Sequence, residues 1–234
     1  MRSGWPALEE VDVEGWVARF ADGVTQRANS VSPVGEPADV RGAVERVERL
    51  YRERGLPTVF QVGPVVRPAG LDLLLEQRGY VLGSPTEVWT VDVATVNERV
   101  PLTTDVHVAD EPDDEWIDLW WRVDGRGDEQ ALAVARKILA GGPARYATVR
   151  DGQGVAAVGR LAVVGDWGGL YCVAVRPDAR RKGLGFAVLR GVLDQSPVAR
   201  CWLQVRTDNL AARKLYARAG FVPGARYHYR TRPS

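Results

Sequence analysis

The stretch from Val173 to Leu189, "VAVRPDARRKGLGFAVL", decides how the rest of the chain is read. An apolar run of strand character ends at a proline, and three consecutive cations follow: Arg180, Arg181 and Lys182. Gly183, Leu184 and Gly185 then lead into a second apolar run with helical spacing. Strand, glycine loop and helix together make an anion cradle. Glycines let several N–H groups turn inward and admit a phosphate close to the backbone, and the helix N-terminus adds partial positive charge. A solvated basic turn before a surface helix is the plainer reading of the same residues. Spacing excludes two nucleotide loops. Val188 stands where a dinucleotide fingerprint needs a third glycine or alanine. No Gly-Lys-Ser/Thr follows, as a triphosphate loop requires.

Working outward, "RYATVR" (145–150) and "VAAVGRLAVVG" (155–165) flank "DGQG" and read as a hairpin. "LYCVAV" is a third strand, "RCWLQV" a fourth and "ARYHYRT" a last. "TDNLAARKLYARAGF" reads as a helix that opens on the capping residues Thr207 and Asp208 and stops at Gly220. Two more helices, "EPDDEWIDLWWRVDG" and "DEQALAVARKILAGG", lie upstream. This order gives an α/β (α+β) class with a mixed sheet.

The first half repeats the pattern. "VERLYRERGLPTVFQVGPVVRPAGLDLLLEQRGYVLG" parallels "VLRGVLDQSPVARCWLQVRTDNLAARKLYARAGFVPG", each with a helix, a proline, a strand ending Gln-Val, a Leu-rich helix and a closing Gly-aromatic-Val. The chain therefore reads as a tandem duplication, with a seam in "ATVNERVPLTTD" (94–105) and domains at 1–100 and 105–234.

Charge divides the same way. Leu170 to Ser234 carry 13 Lys and Arg against 3 Asp and Glu, which leaves 18 and 27 of the totals of 31 and 30 for the preceding part. The basic part favours an anionic ligand, and the acidic part is no nucleic-acid surface. No aromatic-basic stripe accompanies the cations, so nucleic acid is not an expected partner. No run approaches the roughly 20 apolar residues of a membrane span, and the first residues lack a signal-peptide pattern, so a cytoplasmic protein is expected. Cys172 and Cys201 read as reduced core thiols. His107 and His228 stand apart from any cluster of ligand-type residues, so no metal site is expected.

Two motifs together resemble a known family. Arg180-x-x-Gly183-x-Gly185, preceded by "VAVRP", resembles the pyrophosphate motif of the GCN5-related N-acetyltransferases. Asn209-x-x-Ala212-x-x-x-Tyr216-x-x-x-Gly220-Phe221 is similar to that family's other signature helix. The pair spans about 50 residues in the family's order, within a scaffold that fits over 105–234. The resemblance implies acetyl-CoA as donor and two strands that splay apart at the cofactor. It places Val173, Ala174 and Val175 along the pantetheine arm, with the Val175 N–H as the oxyanion contact. The pyrophosphate falls to Arg180, Arg181, Lys182, Gly183, Leu184 and Gly185. Asn209 and Ala212 fall beside the arm, and Tyr216 beside the sulfur as general acid. From spacing alone, Asn209, Ala212 and Tyr216 share one face of a helix, where Tyr216 also suits a core aromatic.

The residues implied for acid chemistry lack a visible partner base. Relatives place a glutamate early on the strand before the loop, where this chain reads "WGGLYCVAV". Asp166, Glu87 and a water chain are the substitutes. In the first half the matching loop carries Glu36, Pro37 and Asp39 without the glycine spacing, and Leu75 replaces the tyrosine. It reads as a degenerate copy with a structural task. "FADGVTQRANSV" (20–31) reads as a polar strand pair from which Arg27, Asn29 and Ser30 face either the acceptor or a satisfied edge. The expected function is transfer of acetyl from acetyl-CoA to a small primary amine. The alternatives are a protein acetyltransferase for lysine or N-terminal amines, and a non-catalytic acyl-CoA-binding module. A monomer is favoured, since an internal duplication replaces a dimer.

Overall fold

The structure is a computed structural model and describes residues 1–232. Its strands are β1 (Glu9–Val13), β2 (Trp16–Phe20), β3 (Ser32–Pro33), β4 (Thr58–Val62), β5 (Val81–Asp92), β6 (His107–Ala109), β7 (Ala144–Asp151), β8 (Gly154–Val164), β9 (Trp167–Val175), β10 (Arg200–Arg206) and β11 (Val222–Arg232). Its helices are α1 (Val40–Glu53), α2 (Leu71–Gln77), α3 (Val93–Arg99), α4 (Asp114–Asp124), α5 (Glu129–Leu139), α6 (Leu184–Asp194) and α7 (Leu210–Arg218).

Two compact units form, and neither is continuous in sequence. The larger holds Met1–Gly4, Val88–Leu132 and Gly142–Gly224; the smaller holds Trp5–Glu87, Ala133–Gly141 and the chain from Ala225 onward. The run β1-β2-β3-α1-β4-α2-β5 has the same element order as β7-β8-β9-α6-β10-α7-β11, as the repeat predicts. The units nevertheless cross the expected division after residue 100. The last strand of each run is exchanged: Val88 onward of β5 belongs to the larger unit, next to β10, and β11 from Ala225 belongs to the smaller, next to β4. Sequence shows a strand and its turn, but pairing partners are chosen by long-range contacts.

In the larger unit the strand order is β5-β10-β9-β8-β7-β6. Antiparallel β7 and β8 are the expected hairpin, and β9 returns beside β8. Alternation sets the faces. Ala157 and Leu161 of β8, with Cys201, Leu203 and Val205 of β10, join one apolar core under Val188, Leu189 and Val192 of α6. On the opposite face α4 packs against β8 and β9; its Trp116 stacks edge-on to Tyr146 at 5.2 Å and donates to Ala147 O at 3.0 Å.

In the smaller unit β1, β2 and β3 form an antiparallel sheet, and β4 pairs antiparallel with β11. α1 turns Ala43, Val44, Val47 and Tyr51, at helical spacing, onto Trp16, Phe20 and Phe60. Residues 21–31 form a compact loop rather than the expected strand pair. Asn29 holds it together: its Oδ1 accepts from Ala21 N and Gly23 N, and its Nδ2 donates to Val24 O and Thr25 O. Its amide is thus spent on the loop, Ser30 is buried, and Arg27 lies 5.2 Å from the Trp5 ring.

Candidate active site

β9 and β10 pair in parallel from Trp167 and Arg200 to Leu170 and Leu203, and there pairing stops. Both strands continue, β9 to Val175 and β10 to Arg206, so a V opens between them. The cause lies in β9. Cys172 adopts a left-handed φ of 55°, and the β8–β9 register slips between Val158 and Arg160, the mark of a bulge that bends the strand. Gly159 faces the bulge, and a Cβ there would lie 2.4 Å from Val188 Cγ1, so only glycine lets α6 seat this closely.

Beyond the bulge, Arg176 N donates to Ala156 O at 2.9 Å, and by ladder alternation Ala174, opposite Val158, also turns its amide edge to β8. Val175, between them, turns its N–H the other way, into the V. Ala174 therefore departs from the expectation of a backbone contact, because its donor is committed to the sheet, whereas Val175 is free to serve.

The loop after β9 has the geometry of an anion nest. Successive φ angles change sign: −65° at Arg180, 63° at Arg181, negative at Lys182 and 82° at Gly183. Such alternation turns consecutive N–H groups toward one concavity. Arg180 N bonds back to Pro177 O, and Phe186 N and Ala187 N bond to Gly183 O. The N–H groups of Arg181, Lys182, Gly183, Leu184 and Gly185 have no protein partner among the described residues. Gly183 caps α6 with no side-chain bond. It is glycine for its φ, since a Cβ there meets nothing within 4 Å; Gly185 is glycine for space, since a Cβ would lie 2.8 Å from Leu215 Cδ1. Arg181 and Lys182 are exposed at the rim, and Arg180 folds back so that Nε donates to Val175 O at 3.3 Å. In the smaller unit the matching helix start is already occupied: Asp39 caps α1 and its Oδ1 accepts from Gly42 N at 3.0 Å. An internal carboxylate stands where the larger unit offers open donors.

α7 begins one residue later than expected. Asn209, and not Thr207 or Asp208, is its N-cap, with Oδ1 accepting from Ala212 N at 3.1 Å. Asn209 is therefore a cap rather than a member of the helix face, because its short side chain reaches the first free N–H groups. Its Nδ2 has no protein partner among the described residues. Ala212 and Tyr216 follow at the face that packs on the core under α6. Tyr216 is half-buried, edge-on to Phe221 at 5.6 Å. Burial pushes its phenol well above the usual range, with Cys201 and the Asp124 carboxylate adding to the effect. Cys201 is a buried apolar thiol, itself raised by burial, while Cys172 sits half-exposed at the bulge.

A parted strand pair, an open nest and a tyrosine behind them are matched by kinship. A family model described as probable histone acetyltransferase Rv0428c, C-terminal, matches residues 1–230. The chain belongs to that family. It is 28% identical over 234 residues to YobR of Bacillus subtilis, named an uncharacterized N-acetyltransferase, covering 97% of this chain and 94% of that one. It is 43% identical over 70 residues to the ribosomal protein bS18-alanine N-acetyltransferase of Escherichia coli, covering 29% of this chain and about half (47%) of that one. Its fold is that of a GCN5-related N-acetyltransferase from Kribbella flavida, at a TM-score of 0.71 and 16% identity over 97% of this chain and 90% of that one.

Within this acetyltransferase frame, two expected bases lose their standing. Asp166 lies at the start of β9, whose nine residues span about 30 Å, so it stands at the far end from Val175. Its carboxylate pairs with Arg200 Nη2, whose hydrogen bond holds it low, and its carbonyl accepts from Ala199 N and Arg200 N. Glu87 is buried on β5 in the smaller unit and pairs with Arg226 Nη2 at 2.8 Å. Asp124 ends α4 with no ion-pair or hydrogen-bond partner among the described residues, and its charge adds to the upward shift of Tyr216. A carboxylate at a helix C-terminus meets the negative end of the macrodipole, an arrangement with no structural benefit. His228, expected to lie apart from any cluster of ligand-type residues, donates from Nε2 to Asp72 Oδ1 at 3.0 Å, where Arg230 Nε also donates. No cluster suited to a metal ion exists among the described residues, and among them no helix is long and apolar enough to cross a membrane.

The face of the V opposite α6 carries Tyr171, Trp202 and Gln204, with the segment Met1–Gly4 laid against them. Arg160, with no exposed surface, lies beneath, donating from Nη1 to Gly4 O at 2.7 Å and from Nε to Tyr146 Oη at 3.1 Å.

Proposed function

We propose that this acyltransferase moves the acetyl group of acetyl-CoA directly onto a primary amine. The observation that carries the reading is the open nest at Arg181–Gly185, standing at the end of a strand pair that parts. A diphosphate finds inward N–H groups, the positive end of α6 and the rim charges of Arg181 and Lys182. The acyl arm lies in the V, with the Val175 N–H donating to the thioester carbonyl as its oxygen gains charge. Val173 and Ala212 line the arm, and Asn209 Nδ2 donates to it.

The amine nitrogen bonds to the acyl carbon, the C–S bond breaks and its electron pair goes to sulfur. Tyr216 donates a hydrogen bond to that sulfur. Its raised ionisation keeps the phenol protonated, so it is a permanent donor to developing negative charge. The surplus proton of the amine leaves toward Asp124 and bulk water. The smaller unit, whose helix start is closed by Asp39, does not bind donor and serves as structure.

A small-molecule amine is the first acceptor class, because Met1–Gly4 narrows the mouth of the V opposite α6. A protein amine is the second reading, favoured by the histone acetyltransferase description of the family and by the bS18-alanine relative. Titration calorimetry of acetyl-CoA into the protein and into Gly183→Glu tests the donor site. One site in the wild type, abolished by the substitution, is expected. A second site assigns binding to the smaller unit, and no binding sinks the enzyme reading.

A further inference from the structure

Leu170 and Leu203 are the last paired residues of β9 and β10, so Tyr171 and Gln204 stand at the crotch of the V. Both are held by one segment. Tyr171 Oη donates to Met1 O at 3.4 Å, and Gln204 Nε2 donates to Met1 Sδ at 3.5 Å. Gly4 is wedged deeper: a Cβ on it would lie 2.9 Å from Tyr171 Oη and 3.1 Å from Trp202 Cζ2. The short turn is closed by Gly4 N donating to Met1 O at 3.1 Å.

The clamp beneath it is unusual in kind. A guanidinium is costly to bury unless its donors are used. Arg160 is fully buried, and one of its donors is directed at a main-chain oxygen of this four-residue turn. The segment and the face are therefore built together.

Position gives the clamp a meaning. The nest and α6 lie on the face that buries Leu161, Cys201 and Leu203, whereas Tyr171, Trp202 and Gln204 point to the opposite face. A donor that enters over α6 brings its thioester to the crotch, and the mouth on the far face is the approach left for a nucleophile.

We propose that Met1–Gly4 is a plug over the acceptor mouth, which keeps water from the thioester until an amine takes its place. The inference rests on the donor site proposed above. The reaction it suppresses is hydrolysis: water oxygen adds to the acyl carbon, the C–S bond breaks, acetate and the free thiol leave, and one water proton goes to sulfur and the other to solvent.

Gly4→Leu, which cannot fit beside Tyr171 and Trp202, and Arg160→Met, which removes the clamp, test it. Thiol release from acetyl-CoA is followed without any amine, alongside calorimetric binding of acetyl-CoA. Release is expected to rise about tenfold in both variants, while donor affinity stays within about twofold. Unchanged release with intact binding overturns the plug and leaves the donor site standing. Loss of binding in the wild type removes the donor reading and the plug together. Hydrogen exchange on the wild-type protein needs no variant to fold: the Gly4 amide is expected to be protected, and exchange at the free-peptide rate overturns the proposal.

Discussion

Gly159→Ala tests whether the close seating of α6 creates the site. The added Cβ would lie 2.4 Å from Val188 Cγ1 and 3.5 Å from Val173 Cγ2. Val188 has no exposed surface, and its β-branched side chain has one favoured rotamer in a helix, so it cannot turn aside. Restoring an ordinary contact of about 3.5 Å moves α6 outward by about 1 Å. Overpacking of this kind costs about 1–3 kcal/mol. In a chain of this size that lowers the melting temperature by about 3–10 °C. The nest stands at the N-terminus of the same helix, so lifting α6 misplaces its N–H groups. A misplacement on the order of 1 Å costs up to about 100-fold in turnover. Melting by circular dichroism, donor affinity by calorimetry and thiol release are the assays. Gly183→Ala is the contrast: it meets nothing, so only its φ of 82° opposes it, at about 1–2 kcal/mol. A Gly159→Ala protein that melts within about 1 °C of wild type and turns over normally would refute the packing argument.

Tyr216→Phe is expected to lower turnover about 100-fold with donor affinity within about twofold, read by thiol release and calorimetry. Equal loss of both makes Tyr216 a binding residue. Asp166→Asn removes an exposed ion pair with Arg200, 59% and 45% exposed, at the wrong end of β9, so turnover is expected to be unchanged; a loss beyond about tenfold restores it as a base. Glu48 is buried between Arg78, Tyr80 and Arg232. Burial alone would raise its carboxyl, but the hydrogen bonds from Arg78 and Tyr80 and the charges of Arg78 and Arg232 outweigh it and hold it below 4.5. Its stabilisation is therefore full above the unfolded value and is lost as pH falls through the lower folded one. Glu48→Gln is expected to lower the melting temperature at neutral pH and flatten its fall in acid; an unchanged acid limb counts against the linkage.

Sequence alone determined the parts whose causes are local. The glycine loop that opens a helix after the run of cations, the hairpin turn at "DGQG" and the helical spacing of "GFAVLRGVLD" are set by neighbours within a few residues, and each stands where the sequence places it. The cap of α7 was legible in kind and misplaced by one or two residues, since Thr207, Asp208 and Asn209 all carry capping oxygens and only the chain's path selects Asn209. Tertiary structure decided the rest. The V depends on a bulge at Cys172 that no local pattern marks, and on a contact between Gly159 and Val188, 29 positions apart. The exchange of β5 and β11 depends on which edge each strand finds, and a strand's own pattern specifies a face without naming a neighbour. Asp124, whose charge reaches Tyr216, and Met1, which accepts from Gln204, are separated from those partners along the chain by 92 and 203 positions. Such approaches exist only once the sheet is assembled.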